Sequence, residues 1–147
     1  MSKRIQIKQV QPKAYEAMYA LEKYLSQTAI EPLLKELIKI RVSQINGCSY
    51  CINQHTKDAR KLGETEQRIY GLSAWRETPF YTDSERAVLA LAEEITHISV
   101  HGVSDETYNT ALEQLGEEKL AQVMMAIIAI NAWNRIGVGT RMMPVLD

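Results

Sequence analysis

Apolar residues along the chain recur at intervals of three and four, and no segment alternates convincingly between apolar and polar positions. That period belongs to helices rather than strands. After Pro12, which suits a first helical turn, Tyr15, Met18, Tyr19 and Leu25 fall near one face. A second helix opens at Pro32 and carries Leu33, Leu34, Leu37, Ile38, Ile40, Val42 and Ile45. It should stop at Asn46-Gly47, since either residue adopts the left-handed conformation that ends helices. A third starts near Cys48 or Ser49 and stops at Gly63. Ile69, Leu72 and Trp75 mark a fourth, ending before Pro79. Thr82-Asp-Ser-Glu85 has the spacing of a capping box and begins a fifth, with Val88, Leu89, Leu91 and Ile95 inside. Ser104 caps a sixth that ends at Gly116. The seventh starts at Glu117 or Glu118 and runs to Ile136, with Gly137 and Gly139 after it.

The pattern predicts an all-α protein of about seven helices with strand content near zero. With 147 residues, one domain spanning 1–147 is expected, long enough to bury a sizeable core. The middle of the last helix, VMMAIIAINAW, is apolar nearly all round, which places it at the centre of the core or beneath another subunit. A homo-oligomer is expected on that ground. Polar Asn131, Trp133 and Asn134 within it read as groups that satisfy buried contacts rather than as substrate binders.

Composition narrows the function classes. Apolar residues make up 46% of the chain and charged ones 24%, ordinary for a soluble globular protein. The formal net charge of −1 lacks the basic excess expected of a nucleic-acid or membrane-surface binder. The polar start MSKRIQIKQVQ has no secretory h-region, and the run from Leu120 to Trp133 is too short and polar to span a bilayer. A cytoplasmic protein is expected, in which a CxxC pair more often serves catalysis or metal binding than stapling.

Reactive groups are concentrated in NGCSYCINQH, Asn46 to His55, which holds both cysteines and one of three histidines. A metal site, a redox dithiol and two buried small residues are the competing readings. Two thiolates and one imidazole fall short of the four ligands that close a structural zinc site, and there is no second CxxC. His97 and His101, four apart, could share a helix face but are distant in sequence. Covalent haem needs a histidine directly after the second cysteine, where Ile52 stands. No metal or cofactor is expected. Free cysteines are often buried and inert, yet the spacing and the placement at a helix start favour redox chemistry. Residues three and four apart on a helix are neighbours, so Cys48 and Cys51 are within disulfide reach and His55 follows one turn on. A first-turn thiol feels the positive helix end, and a neighbouring imidazole can relay its proton.

Glu36 adds to this site. It lies about 16 Å up the second helix from Gly47, and His55 about 12 Å along the third, at 1.5 Å per residue. If the two helices fold back as a hairpin, both reach a similar height. Taken alone, Glu36 is a solvated residue bordering the apolar arc beside Leu33 and Ile40, with Lys35 and Lys39 pointing elsewhere. Opposite a Cys/His face it could orient the imidazole.

Glu36, then CSYC twelve positions on, then His55 four after Cys51, resembles the E-x11-C-x2-C-x3-H signature of the AhpD-like alkylhydroperoxidases of the carboxymuconolactone decarboxylase superfamily. The likeness extends over about residues 12 to 143, through ELIKIRVSQINGCSYC, SERAVLALAE and INAWNRIGV. The resemblance implies an all-helical fold assembled into trimers or hexamers. It implies a thiol-dependent peroxidase in antioxidant defence, acting on a hydroperoxide and recharged by a dithiol reductant of protein or lipoyl type. Cys51 would attack the peroxide, Cys48 would close the disulfide, and His55 with Glu36 would form the proton relay. One position departs from the pattern, since Tyr50 stands where the best-known AhpD enzymes have a histidine. A phenol is a poor base at neutral pH, which shortens the relay and puts the substrate in question. The alternatives are a dithiol adaptor or sensor without turnover, and a decarboxylase-like enzyme, which would not need the CxxC.

Overall fold

The computed structural model describes residues 4–146, and every regular element among them is helical. In chain order these are α1 (Ile7–Val10), α2 (Pro12–Ser26), α3 (Pro32–Asn46), α4 (Ser49–Lys61) and α5 (Glu66–Gly71). A 3-10 turn (Leu72–Glu77), α6 (Asp83–Thr96), α7 (Ile98–His101) and α8 (Asp105–Thr140) follow. Proline occupies the first turn of both α2 and α3, where its missing N–H costs nothing. Thr82 and Glu85 close a reciprocal capping box on α6, and the Ser104 hydroxyl accepts from the Thr107 N–H to cap α8.

The structure adds two single-turn helices, α1 and α7, to the seven expected. Four residues are too few to display a period. The segment expected as one fourth helix is α5 followed by the 3-10 turn, kinked at Ala74. The expected sixth and seventh helices meet at Gly116, whose φ of 75° breaks the path of α8. Beyond it α8 runs four residues past the expected end, through Gly137 and Gly139 to Thr140, and closes on left-handed Arg141.

α3 is the hub, packing against α4, α6 and α8. Its Leu34, Ile38 and Val42, one turn apart, join Val88, Leu91, Val123, Ile127 and Ile130 of α6 and α8 in one cluster. Leu37 and Ile40 face the other way, into Ala59, Ile69, Leu72, Trp75 and Leu89. α8 buries Leu120, Val123, Ile127, Ile130, Asn134 and Gly137, a stripe with helical spacing. Ile128 and Val138, on other faces of α8, are 45% and 46% exposed. By length and composition α8 could cross a bilayer, but half of its most apolar stretch is buried inside the protein.

A second set of groups ties the α5 end to this hub. Glu93 of α6 accepts from Trp75 Nε1 and Arg41 Nε at 2.8 Å each, and from Arg76. Burial alone would raise its pKa, but the bonds from Arg76, Trp75 and Arg41 outweigh burial and hold the carboxyl below its usual range. A depressed carboxyl stabilises the fold above its unfolded pKa and loses that contribution as the pH falls through its folded value. Glu93→Gln is therefore expected to lower the urea midpoint at pH 7. The difference from the parent protein should shrink as the pH falls below about 4.

Candidate active site

The site is built on the turn between α3 and α4. Gly47, with φ 67°, ends α3 in the left-handed conformation predicted for Asn46-Gly47. The Cys48 N–H returns to the Ser43 carbonyl at 3.0 Å and closes the turn. Cys48 is then the N-cap of α4, its sulfur accepting from the Cys51 N–H at 3.4 Å, where helices more often place an oxygen. Cys48 and Cys51 are joined as a disulfide with Cα atoms 5.3 Å apart. Both are buried, at 2% and 5% exposure.

One turn beyond Cys51, His55 Nδ1 lies 2.8 Å from Glu36 Oε2. A carboxylate only accepts, so against it Nδ1 carries the proton and the neutral ring keeps its lone pair on Nε2. Glu36 is buried rather than solvated, at 8% exposure. Its second oxygen, Oε1, takes Lys39 Nζ at 3.3 Å. The helical-wheel expectation that Lys39 points elsewhere is corrected by this contact, because a long side chain three residues on bends back over the intervening turn. Lys35 does turn away, donating to the Leu25 carbonyl at 2.6 Å.

A cavity of about 390 Å³ opens onto these groups. Cys51 and His55 form its floor, Tyr15, Tyr19 and Trp133 an aromatic wall, and Tyr50 part of its rim. Tyr15 and Trp133 meet edge to face at 5.4 Å. Burial pushes the Tyr15 phenol above its usual pKa, Tyr19 and Tyr50 act in the same direction, and Lys8 opposes them. Trp133 Nε1 donates to Glu22 at 3.0 Å, and Glu22 lies 4.0 Å from Lys39. The aromatic wall is thereby linked to the acid beneath it.

Of the polar residues on α8, two satisfy buried contacts as expected. Asn134 donates to Ser43 at 2.9 Å and Asn131 to Thr96 at 3.0 Å, and both accept from Asn46. Trp133 has a different place, in the cavity wall. Gly137 was legible only as a helix terminator, yet it is the backbone against which the disulfide packs. A Cβ there would stand 2.9 Å from the Cys48 sulfur and 3.7 Å from that of Cys51. Glu22 was not singled out by the sequence, and Tyr15 and Tyr19 were legible only as one face of a helix, because they reach the site through tertiary packing.

Metal chemistry has one geometric candidate among the described residues. Glu36, His55 and Asp58 each offer a ligand atom, all within 4.8 Å of one another. All three are already engaged, Glu36 by His55 and Lys39, and Asp58 by Gln54 at 2.8 Å and Lys61 at 3.4 Å. An ammonium on the Glu36 carboxylate opposes a cation, and the set is accounted for by the Glu36–His55 hydrogen bond beside an Asp58 held by Gln54 and Lys61. His97 ends α6 and is the N-cap of α7, which His101 closes; both line one cavity with Arg76, Glu93 and Glu94, and neither belongs to the metal-ligand group found among the described residues.

The helical hub and its CxxC site agree with sequence comparison. The model of the carboxymuconolactone decarboxylase family matches residues 12–94, and the chain belongs to that family, in its AhpD-like branch. It is 48% identical to the uncharacterized protein YdfG of Bacillus subtilis, over 94% of each chain. A crystal structure of a protein of unknown function from Agrobacterium tumefaciens, named there as a candidate AhpD antioxidant defence protein, superposes with a TM-score of 0.95. The two are 38% identical, with 99% of this chain and 100% of that one covered. The debrominase Bmp8, in complex with 2,3,4-tribromopyrrole, shares the fold at a TM-score of 0.80 and 21% identity, over 89% of this chain and 70% of its own.

The tight seat of the disulfide gives a paired test. Alanine in place of glycine inside a helix ordinarily stabilises by about 1 kcal/mol. Gly139→Ala, with nothing within 4 Å of its Cβ, is expected to hold or raise the melting temperature. Gly137→Ala should lower it and slow disulfide closure by a mild oxidant, measured as loss of free thiols.

Proposed function

We propose that this protein is a thiol-dependent peroxidase that reduces organic hydroperoxides, a role in antioxidant defence within a reducing cytoplasm. The observation that carries the reading is the cavity floor. Cys51, paired with Cys48, lines it together with His55, whose Nδ1 is held by the buried carboxylate of Glu36. In the reduced protein His55 takes the Cys51 proton, and the thiolate attacks the terminal peroxide oxygen. The O–O bond breaks, Cys51 becomes a sulfenic acid, and the alkoxide leaves as an alcohol with the proton from His55. The Cys48 thiol then attacks the Cys51 sulfur, which releases water and forms the disulfide. A dithiol reductant, of protein or lipoyl type, supplies the two electrons and two protons that restore both thiols. Cys51 takes the attacking role because it lines the cavity, with Cys48 behind it against Gly137.

A dithiol adaptor or sensor is the second reading, favoured by Tyr50 in place of the histidine seen in AhpD enzymes. Peroxide consumption separates the two. With a dithiol reductant in excess, catalytic loss of an organic hydroperoxide over many turnovers is expected, abolished by Cys51→Ser. A single stoichiometric oxidation would mark a sensor instead. A free thiol has a pKa near 8.5, so little thiolate exists at pH 7 without help. A helix N-terminus contributes about 0.3–1 kcal/mol toward it, too little alone, so the imidazole supplies the rest. His55→Ala should accordingly slow iodoacetamide modification of Cys51 several-fold at pH 7 and much less at pH 9.5.

The protein also works as a homo-oligomer, a trimer or a hexamer, in this reading. The apolar faces that α8 leaves at Ile128 and Val138 support it. Light scattering at micromolar concentration should give a multiple of the chain mass, and a monomer would reject the assembly.

A further inference from the structure

The contact that the helical wheel failed to anticipate carries a role of its own. Lys39 lies between two acids, with Nζ 3.3 Å from Glu36 Oε1 and 4.0 Å from Glu22 Oε2. Its side chain is 17% exposed and lines the cavity. Glu22 is in turn fixed by the indole of Trp133 at 3.0 Å. The four side chains form one chain, Trp133 to Glu22 to Lys39 to Glu36, that ends on His55.

We infer that Lys39 is a positioning residue for the thiol chemistry, clamping Glu36 Oε1 so that Oε2 is presented, charged, to His55 Nδ1. This rests on the peroxidase reading for its biological use but not for its test. Two facts support it. The Glu36 carboxyl is buried, where an ionised group needs a partner cation, and His55 in its neutral form is not one. The only ammonium within bonding distance of Glu36 among the described contacts is that of Lys39. The other charged groups around Glu36 are Glu22 on α2, Lys35 on α3, and His55 and Asp58 on α4. Lys35 is committed to the Leu25 carbonyl and Asp58 to Gln54 and Lys61, so neither replaces Lys39. With Glu36 neutral or rotated, His55 would lose the acceptor that holds its Nδ1 proton, and its other nitrogen would no longer be set to receive the proton of Cys51.

The test uses the reduced full-length protein, with iodoacetamide modification of Cys51 followed by mass spectrometry from pH 5.5 to 9. Lys39→Met is expected to slow modification about threefold or more at pH 6, with the gap closing toward pH 9. Lys39→Arg should restore the parent profile. Lys39→Gln, neutral and of similar length, should behave as Lys39→Met and serves if the methionine variant does not fold. Added to Glu36→Gln, Lys39→Met should change the rate less than twofold. Equal rates across the whole range, a loss uniform in pH, or a full additional loss on the Glu36→Gln background would each overturn the assignment. Peroxide turnover is read separately. A parent protein that consumes no peroxide but shows the Lys39 profile rejects the peroxidase reading and keeps the positioning role, and the converse result does the opposite.

Discussion

One left-handed residue sets the height of α3 against α4, and the site depends on that register. Gly47 reverses the chain in a single step, so the eleven residues back to Glu36 and the eight forward to His55 run side by side. A slip of one residue on either helix would rotate its side chain by about 100° and carry the carboxylate away from the ring. The same turn makes Cys48 the first capping group of α4 and leaves Cys51 in its first turn. The Cys51 N–H at that helix start is directed at the Cys48 sulfur, while Gly137 of α8 packs against both sulfurs.

Two carboxylates, Glu93 half-buried and Glu36 buried, show how surroundings divide structure from chemistry. Glu93 is saturated by Arg41, Arg76 and Trp75, strong donors that keep their charge or proton across the ordinary pH range. It joins α3, α6 and the 3-10 turn, and the cavity it lines, with Arg76, Glu94, His97 and His101, contains no cysteine. Glu36 has one fixed cation on one oxygen and a titratable imidazole on the other, and that imidazole lines the cavity beside Cys51. A buried carboxylate whose partner can take or release a proton is suited to relay; one held entirely by fixed donors is suited to holding elements together.

The shared fold does not decide the reaction. The helical frame superposes on a debrominase as well as on a candidate antioxidant protein, so chemistry resides in what lines the cavity. Here that lining combines a disulfide-forming pair with an aromatic wall of Tyr15, Tyr19 and Trp133, large enough for an organic molecule rather than only hydrogen peroxide. Tyr50 stands at the rim, and the Glu36–His55 hydrogen bond is the polar contact that the geometry displays beside Cys51.

The sequence by itself determined the helical class, most helix starts and stops, and the CxxC-His cluster. Each of these is written in local chemistry: proline at a first turn, the Thr82–Glu85 capping box, the left-handed Gly47, and spacings of three and four. The hairpin argument brought Glu36 to the height of His55 because one turn separates them and rise per residue is constant. Single-turn α1 and α7 were not legible, being too short for a period, and neither was the passage of α8 through two glycines. At Gly137 the disulfide fills the space a side chain would need, whereas Gly139 faces open space. The contact of Lys39 with Glu36 is local, three residues apart on one helix, and was missed because a wheel gives the direction of a Cβ and not of the end of a long side chain. Burial of Glu36 and the wall of Tyr15, Tyr19 and Trp133 were decided only by tertiary structure. They depend on how α8 lies across α3 and α2 against α8, and contacts such as that of Trp133 with Glu22, 111 positions apart, leave no spacing for a sequence to display.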